Sequence, residues 1–108
     1  MTVRELAEKL SLTAAAMPEK DREILHAYCG DLLSWVMGRA QAGDAWITIM
    51  SNVNVIAVAS LADTACVIFA EGVQPDGELV KLAREKGVNL LCSDQPIFET
   101  AARLAALL

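Results

Sequence analysis

The sequence predicts an α/β domain, a parallel β core with flanking helices built from βαβ units, on three observations. WITIM (Trp46 to Met50) and ACVIFA (Ala65 to Ala70) are short apolar runs rich in β-favouring residues, the kind buried on both faces of a sheet. Between them Asn54 to Ala62 reads as a mostly apolar helix, so Trp46 to Phe69 forms one βαβ unit with two parallel strands. A third apolar run, Val88 to Cys92, follows an amphipathic helix and extends the parallel core to about three strands.

The chain opens with Thr2 to Glu5, a T-x-x-E capping box, after which Val3, Leu6, Ala7 and Leu10 recur at helical spacing. Leu12 to Ala16 reads as a small strand or extended link, Met17 to Asp21 as a loop, and Ile24 to Cys29 as a strand ending at Gly30. One or two extra strands thus come from the N-terminal third. Asp31 is placed to cap a helix whose buried face would carry Leu32, Leu33, Val36, Met37 and Ala40, with Trp35 turned away. Asn52 and Asn54 offer caps for the central helix, which is apolar nearly all round and so should be covered on more than one side.

Pro75-Asp76-Gly77 gives a turn and a cap, and Leu79, Val80, Leu82 and Ala83 form the buried side of a helix ended by Gly87. Ser93-Asp94 caps the last helix, with Pro96 in its first turn. Ile97, Ala101, Leu104, Ala105 and Leu108 share one face of it.

A chain of 108 residues buries about two-thirds of its unfolded surface in one core, so residues 1–108 are read as a single domain. Apolar residues reach 55% and aromatics only 5%, which favours close packing over a large aromatic-lined cavity. A net charge of −5 with scattered Lys and Arg argues against nucleic-acid binding, which needs a concentrated basic surface. MTVRELAEKL has no basic segment ahead of an apolar one, and the run Val55 to Ala70 is interrupted by Ser60, Asp63 and Thr64. Neither a signal peptide nor a membrane span is expected. Three widely spaced cysteines in apolar surroundings suit reduced thiols in a cytoplasm.

Neither a P-loop nor a dinucleotide fingerprint occurs. His26, Cys29, Cys66 and Cys92 are the only combination that suggests zinc, but His26 and Cys29 face opposite ways in a strand and the other two lie in separate apolar runs. A Cys29–His26 nucleophile pair lacks an orienting carboxylate, so core packing is the expected role of the thiols. No catalytic residue, metal or cofactor is assigned.

GDLLSWVMG (Gly30 to Gly38), AWIT (Ala45 to Thr48) and NVNVIAVASL (Asn52 to Leu61) resemble the DRTGG domain family, and the similarity runs over nearly the whole chain. Asp21-Arg22 sits at the family's Asp-Arg pair, Glu71-Gly72 at the turn after the second core strand, and Cys92-Ser93-Asp94 at its Ser/Thr-Asp cap. The namesake Thr-Gly-Gly is absent, since Glu23-Ile24-Leu25 follows Arg22. The resemblance implies a fold like the N-terminal domain of HPr kinase and a non-catalytic regulatory module that pairs with itself. Family members occur in pyrophosphatases with cystathionine-β-synthase domains and in long bacterial phosphotransacetylases. Short stand-alone forms accompany iron-only hydrogenase components in anaerobic bacteria, which implies an alternative role as an accessory subunit of a redox enzyme.

Ligands of parallel sheets bind beyond the C-terminal strand ends, where helix N-termini present free amides. Those ends carry Thr48, Ser51, Asn52 and Asn54, then Glu71 and Gly72, then Ser93 and Asp94. These eight either hold a small anion or a nucleotide such as an adenine nucleotide, or serve only as caps and turns. A homodimer interface is expected at Trp35 and parts of the central helix, with Val55 and Val58, and of the C-terminal helix, unless the first helix or the Met17 to Arg22 loop covers Trp35.

Overall fold

Alternating apolar runs and amphipathic stretches resolve into five helices and five strands in the computed structural model, which describes residues 1–108. In chain order they are α1 (Val3–Lys9), β1 (Thr13–Ala16), β2 (His26–Cys29), α2 (Leu33–Arg39), β3 (Asp44–Thr48), α3 (Asn54–Ala62), β4 (Cys66–Phe69), α4 (Gly77–Lys86), β5 (Leu90–Cys92) and α5 (Ile97–Ala105). The sheet order is β1-β5-β4-β3-β2. β2 to β5 run parallel and β1 is antiparallel to β5 at the far edge. The three predicted parallel strands and both extra ones are present, and β2 joins the parallel set.

Three crossovers that step the same way along the sheet keep α2, α3 and α4 on one face. There Val36, Val55, Ile56, Leu79 and Ala83 pack on Trp46, Val67, Phe69 and Leu90. On the other face Val3, Leu6 and Leu10 of α1 and its C-cap, with Leu104 of α5, pack on Ala45, Ile47, Ile68 and Leu91. Neighbours in sequence enter opposite cores, as the two-residue period of a strand requires. β3, β4 and β5 are buried along their whole length, which accounts for their unbroken apolar character.

Local signals place the ends. The capping box is formed, with the Thr2 hydroxyl accepting from the Glu5 N–H at 3.2 Å and the Glu5 carboxylate from the Thr2 N–H at 3.1 Å. Asp76 caps α4 by accepting from the Leu79 N–H at 2.8 Å, and Gly87 ends it at φ 72°. Trp46 is wholly buried and satisfies its indole N–H on the Gly30 carbonyl at 2.9 Å.

Several expected caps act differently. Asp31 does not cap α2, whose N-cap is Leu32; its carboxylate instead accepts from Thr48 Oγ1 and the Ile49 N–H, at 2.8 and 2.9 Å. Val53 rather than an asparagine is the N-cap of α3, and Asn52 closes the preceding turn by accepting from the Asn54 N–H at 2.9 Å. Pro96 is the N-cap of α5, whose first free N–H, on Ile97, is met by the Glu71 carboxylate at 2.8 Å. The buried stripe of α5 is Thr100 and Leu104, while Ala105 and Leu108 are exposed. Cys29 is exposed and not a core thiol, because β2 is an edge strand.

Candidate functional site

The parallel strands end together, so the loops after β3, β4 and β5 are neighbours at one end of the sheet. Most polar groups there are already engaged. Thr48 is buried; its hydroxyl donates to Asp31 and accepts from the Met50 N–H at 3.1 Å. Ser93 is buried, shares a 2.9 Å bond with Thr100 Oγ1 and accepts from the Gln95 N–H at 3.1 Å. Glu71 and Gly72 both hold positive φ, 62° and 75°, and their N–H groups donate to the Gln95 and Ser93 carbonyls at 2.8 and 3.0 Å. The Glu71 carboxylate lies on α5.

Ser51, Asn54 and Asp94 have no side-chain hydrogen bond. Asp94 and Ser93 line a hollow of about 130 Å3 with Gln95 and Arg103 on the α5 side of the sheet. The Thr48 to Asn54 segment leads into α3 on the opposite side. No cavity gathers all eight expected residues. Their positions match the C-terminal edge; their chemistry is mostly bonding between loops.

The large apolar side chains left exposed fall mostly on three helices: Leu32, Trp35 and Met37 at α2, Val53 and Leu61 at α3, and Phe98 on α5 with Leu107 and Leu108 after it. β2 is the last strand on its side of the sheet, so α2 covers an edge and only Val36 is wholly buried. Leu32, Met37 and Trp35 stand exposed, Trp35 at 52%. The Arg39 guanidinium lies 3.8 Å from the centroid of the Trp35 ring and covers one of its faces. Neither α1 nor the Met17 to Arg22 loop buries it. Val55 and Val58 are buried in this chain's own core and are not surface for a partner, because α3 turns that side to the sheet. Its outward side carries Ala57, Ser60 and Leu61, which with Val53 and Leu82 line an apolar groove of about 290 Å3 between α3 and α4.

The thiols are not activated. Burial pushes the Cys66 thiol up to about 12. Burial also raises Cys29 and Cys92, and the Asp31 and Asp94 carboxylates add to it in turn. Cys29 and His26 project from opposite sides of β2 as the strand period dictates.

The Asp-Arg pair noted in the sequence has a structural part. The Arg22 guanidinium donates to the Asp63 carbonyl at 2.9 Å and pairs with its carboxylate at 3.0 Å, fixing the left-handed end of α3. Asp21 lies 3.6 Å from Arg4 of α1. Sequence reasoning missed the buried Asp44 and its neighbour Arg39, because an acid at a strand start and a base at a helix end are usually ordinary surface residues.

No helix is long and apolar enough to cross a membrane. No curated protein matches the sequence significantly. Among solved structures the chain is similar to the CBS and DRTGG domains of the regulatory region of Clostridium perfringens pyrophosphatase, complexed with the activator diadenosine tetraphosphate. The TM-score is 0.77 at 15% identity, over 95% of this chain and 45% of that one. The likeness is therefore one of fold, and this chain spans under half of the regulatory region it matches. The DRTGG domain profile matches residues 5–107. On that match, over nearly its whole length, this chain belongs to the DRTGG domain family.

Proposed function

We propose that this chain is a non-catalytic regulatory module that pairs with itself and responds to a small ligand of the adenine-nucleotide class. One observation carries the pairing. Leu32 and Trp35 stand exposed on one side of α2, beside the open edge strand β2, and Met37 is exposed on the other side of the helix. A 108-residue chain gains by covering such a surface, and a two-fold pair is the commonest way to do so. The nucleotide class rests on the similar regulatory region, whose activator is diadenosine tetraphosphate. Regulation then follows if ligand binds one paired arrangement better than the other. The exposed Cys29 and two buried free thiols suit a reducing cytoplasm.

Light scattering tests the pairing. Trp35→Ala removes an exposed side chain, so the fold survives while the dimer weakens; a variant that stays as dimeric as the parent shows that Trp35 is not in the interface. A thermal-shift screen of adenine nucleotides tests the ligand, since binding at about 100 times the dissociation constant adds about 2.7 kcal/mol of stability. No shift with any nucleotide counts against that class. The same apolar surface would also serve an accessory subunit docked on an iron-only hydrogenase component. Co-purification of the native protein with such subunits, as a monomer, favours that second role.

A further inference from the structure

At the opposite end of the sheet from the loops just described, a hollow of about 300 Å3 opens between the start of the parallel strands and the last turn of α2. His26 and Asp44 are register partners on β2 and β3, Tyr28 lies on the same face, and Arg39 and Gln41 close the hollow from α2 and the following turn. Asp44 is only 4% exposed. Its Oδ2 accepts from the Gln41 N–H at 2.8 Å, but Oδ1 is buried with no hydrogen-bond partner. A buried carboxylate oxygen without a donor is unfavourable, so Oδ1 is an acceptor that water or a bound group has to satisfy. Arg39 makes no salt bridge and is held at the rim by Trp35. Of the residues that line the hollow with Asp44, His26, Ala27, Arg39 and Gln41 are exposed and Tyr28 is half-buried.

We infer that this hollow binds a small molecule carrying an amino group at one end and an anion at the other. The amino group donates to Asp44 Oδ1 and the anion pairs with the Arg39 guanidinium. The volume is at the lower end of small-molecule sites, which suits a nucleoside monophosphate or a free amino acid. Arg39 also touches Trp35, so occupancy of the hollow changes the packing of the surface proposed above for pairing. Only this coupling rests on the pairing proposal; the binding site does not.

Isothermal titration with three probes tests the site. They are adenosine 5′-monophosphate, L-alanine and ribose 5-phosphate, the last bearing an anion but no amine. Expected is saturable binding of one amino-bearing probe, at least about tenfold tighter than ribose 5-phosphate, a preference that Asp44→Asn abolishes. The exposed Arg39→Gln keeps the fold and weakens binding whichever probe is favoured, so the test survives if Asp44→Asn fails to fold. The nucleotide and the amino acid distinguish the two sources of the same chemistry. Failure of both amino-bearing probes to bind, or binding that Arg39→Gln leaves unchanged, overturns the site. Loss of pairing in Trp35→Ala with probe binding retained would touch only the coupling.

Discussion

Asn89 offers the sharpest test of how the chain is held together. It is buried between β4 and the Met17 to Asp21 loop, and its side chain spends every polar direction on backbone. Nδ2 donates to the Glu19 carbonyl at 2.8 Å and the Ala65 carbonyl at 2.9 Å, while Oδ1 accepts from the Glu19 N–H at 2.9 Å. Asn89→Ala removes all three bonds, about 1 kcal/mol each. Glu19 is exposed and its backbone groups regain water, but Ala65 is 2% exposed and its carbonyl loses a donor in a dry setting, adding about 1 kcal/mol. The expected loss is therefore about 3 to 4 kcal/mol, a large part of the stability of a small domain. With an unfolding entropy of about 2.1 cal/mol/K per residue, the melting midpoint falls by about 13 to 18 °C. Urea unfolding followed by fluorescence checks it, with the midpoint falling and the slope unchanged. A loss under about 1 kcal/mol would refute the reasoning and mean that the loop is held by other contacts.

Gly43 holds φ 85°, and a Cβ there would lie 2.8 Å from Leu25 Cδ1. Leu25 Cγ and Cβ would lie at 2.9 and 3.3 Å as well, so the clash reaches the base of that side chain, and Gly43→Ala is expected to cost more than the ~1 to 2 kcal/mol of backbone strain alone, read by thermal melting. Cys66 binds its proton up to about 12 in the fold against an ordinary 9.0. Above the ordinary value the unfolded thiol ionises while the folded one does not, so stability is full below pH 9 and declines toward pH 12. The Cys66 contribution is about 1.4 kcal/mol per pH unit in that window, and Cys66→Ala should unfold with a shallower alkaline slope than the parent. Equal slopes in urea titrations of the two proteins would remove Cys66 as the cause.

What the sequence made legible was what short-range rules decide. Thr2 and Glu5 are three apart, Asp76 and Leu79 likewise, and the apolar runs of β3, β4 and β5 announce strands buried on both faces. The fold class follows from these alone. What stayed hidden was decided by distance along the chain: Asp31 meets Thr48 across 17 residues, Glu71 meets Ile97 across 26, and Asn89 meets Glu19 across 70. Asp31 next to an apolar helix looks like a cap, and only the pairing of β2 with β3 brings a better partner to it. The expected ligand residues are not gathered in one cavity for the same reason. They stand at or just after the strand ends, where Thr48, Ser93 and Glu71 bond to neighbouring segments that periodicity cannot bring together.

Strand order also explains why α2 differs from the other helices, and it leads to a last prediction. In the helix layer α3 lies between α2 and α4, and α4 reaches over to the β1 edge, whereas α2 stands at the β2 end, beyond which the sheet offers no further surface. The two edges are not alike. β1 carries an irregularity between Ala14 and Ala16, a device that discourages edge pairing, while β2 is regular. From His26 to Arg39 the chain holds, besides His26 itself, only one acid, Asp31, committed to Thr48 and Ile49, and one base, Arg39, stacked on Trp35. Two copies of a chain with charge −5 repel overall, but at this surface little charge opposes contact. Pairing here should thus be apolar in character, and raising salt from about 0.1 M to about 1 M, which shortens the screening length from about 10 Å to about 3 Å, should leave it unchanged or strengthen it. Sedimentation equilibrium at the two salt concentrations checks this. Dissociation at high salt would show that ion pairs hold the copies together, which this surface cannot supply, and would move the interface elsewhere on the molecule.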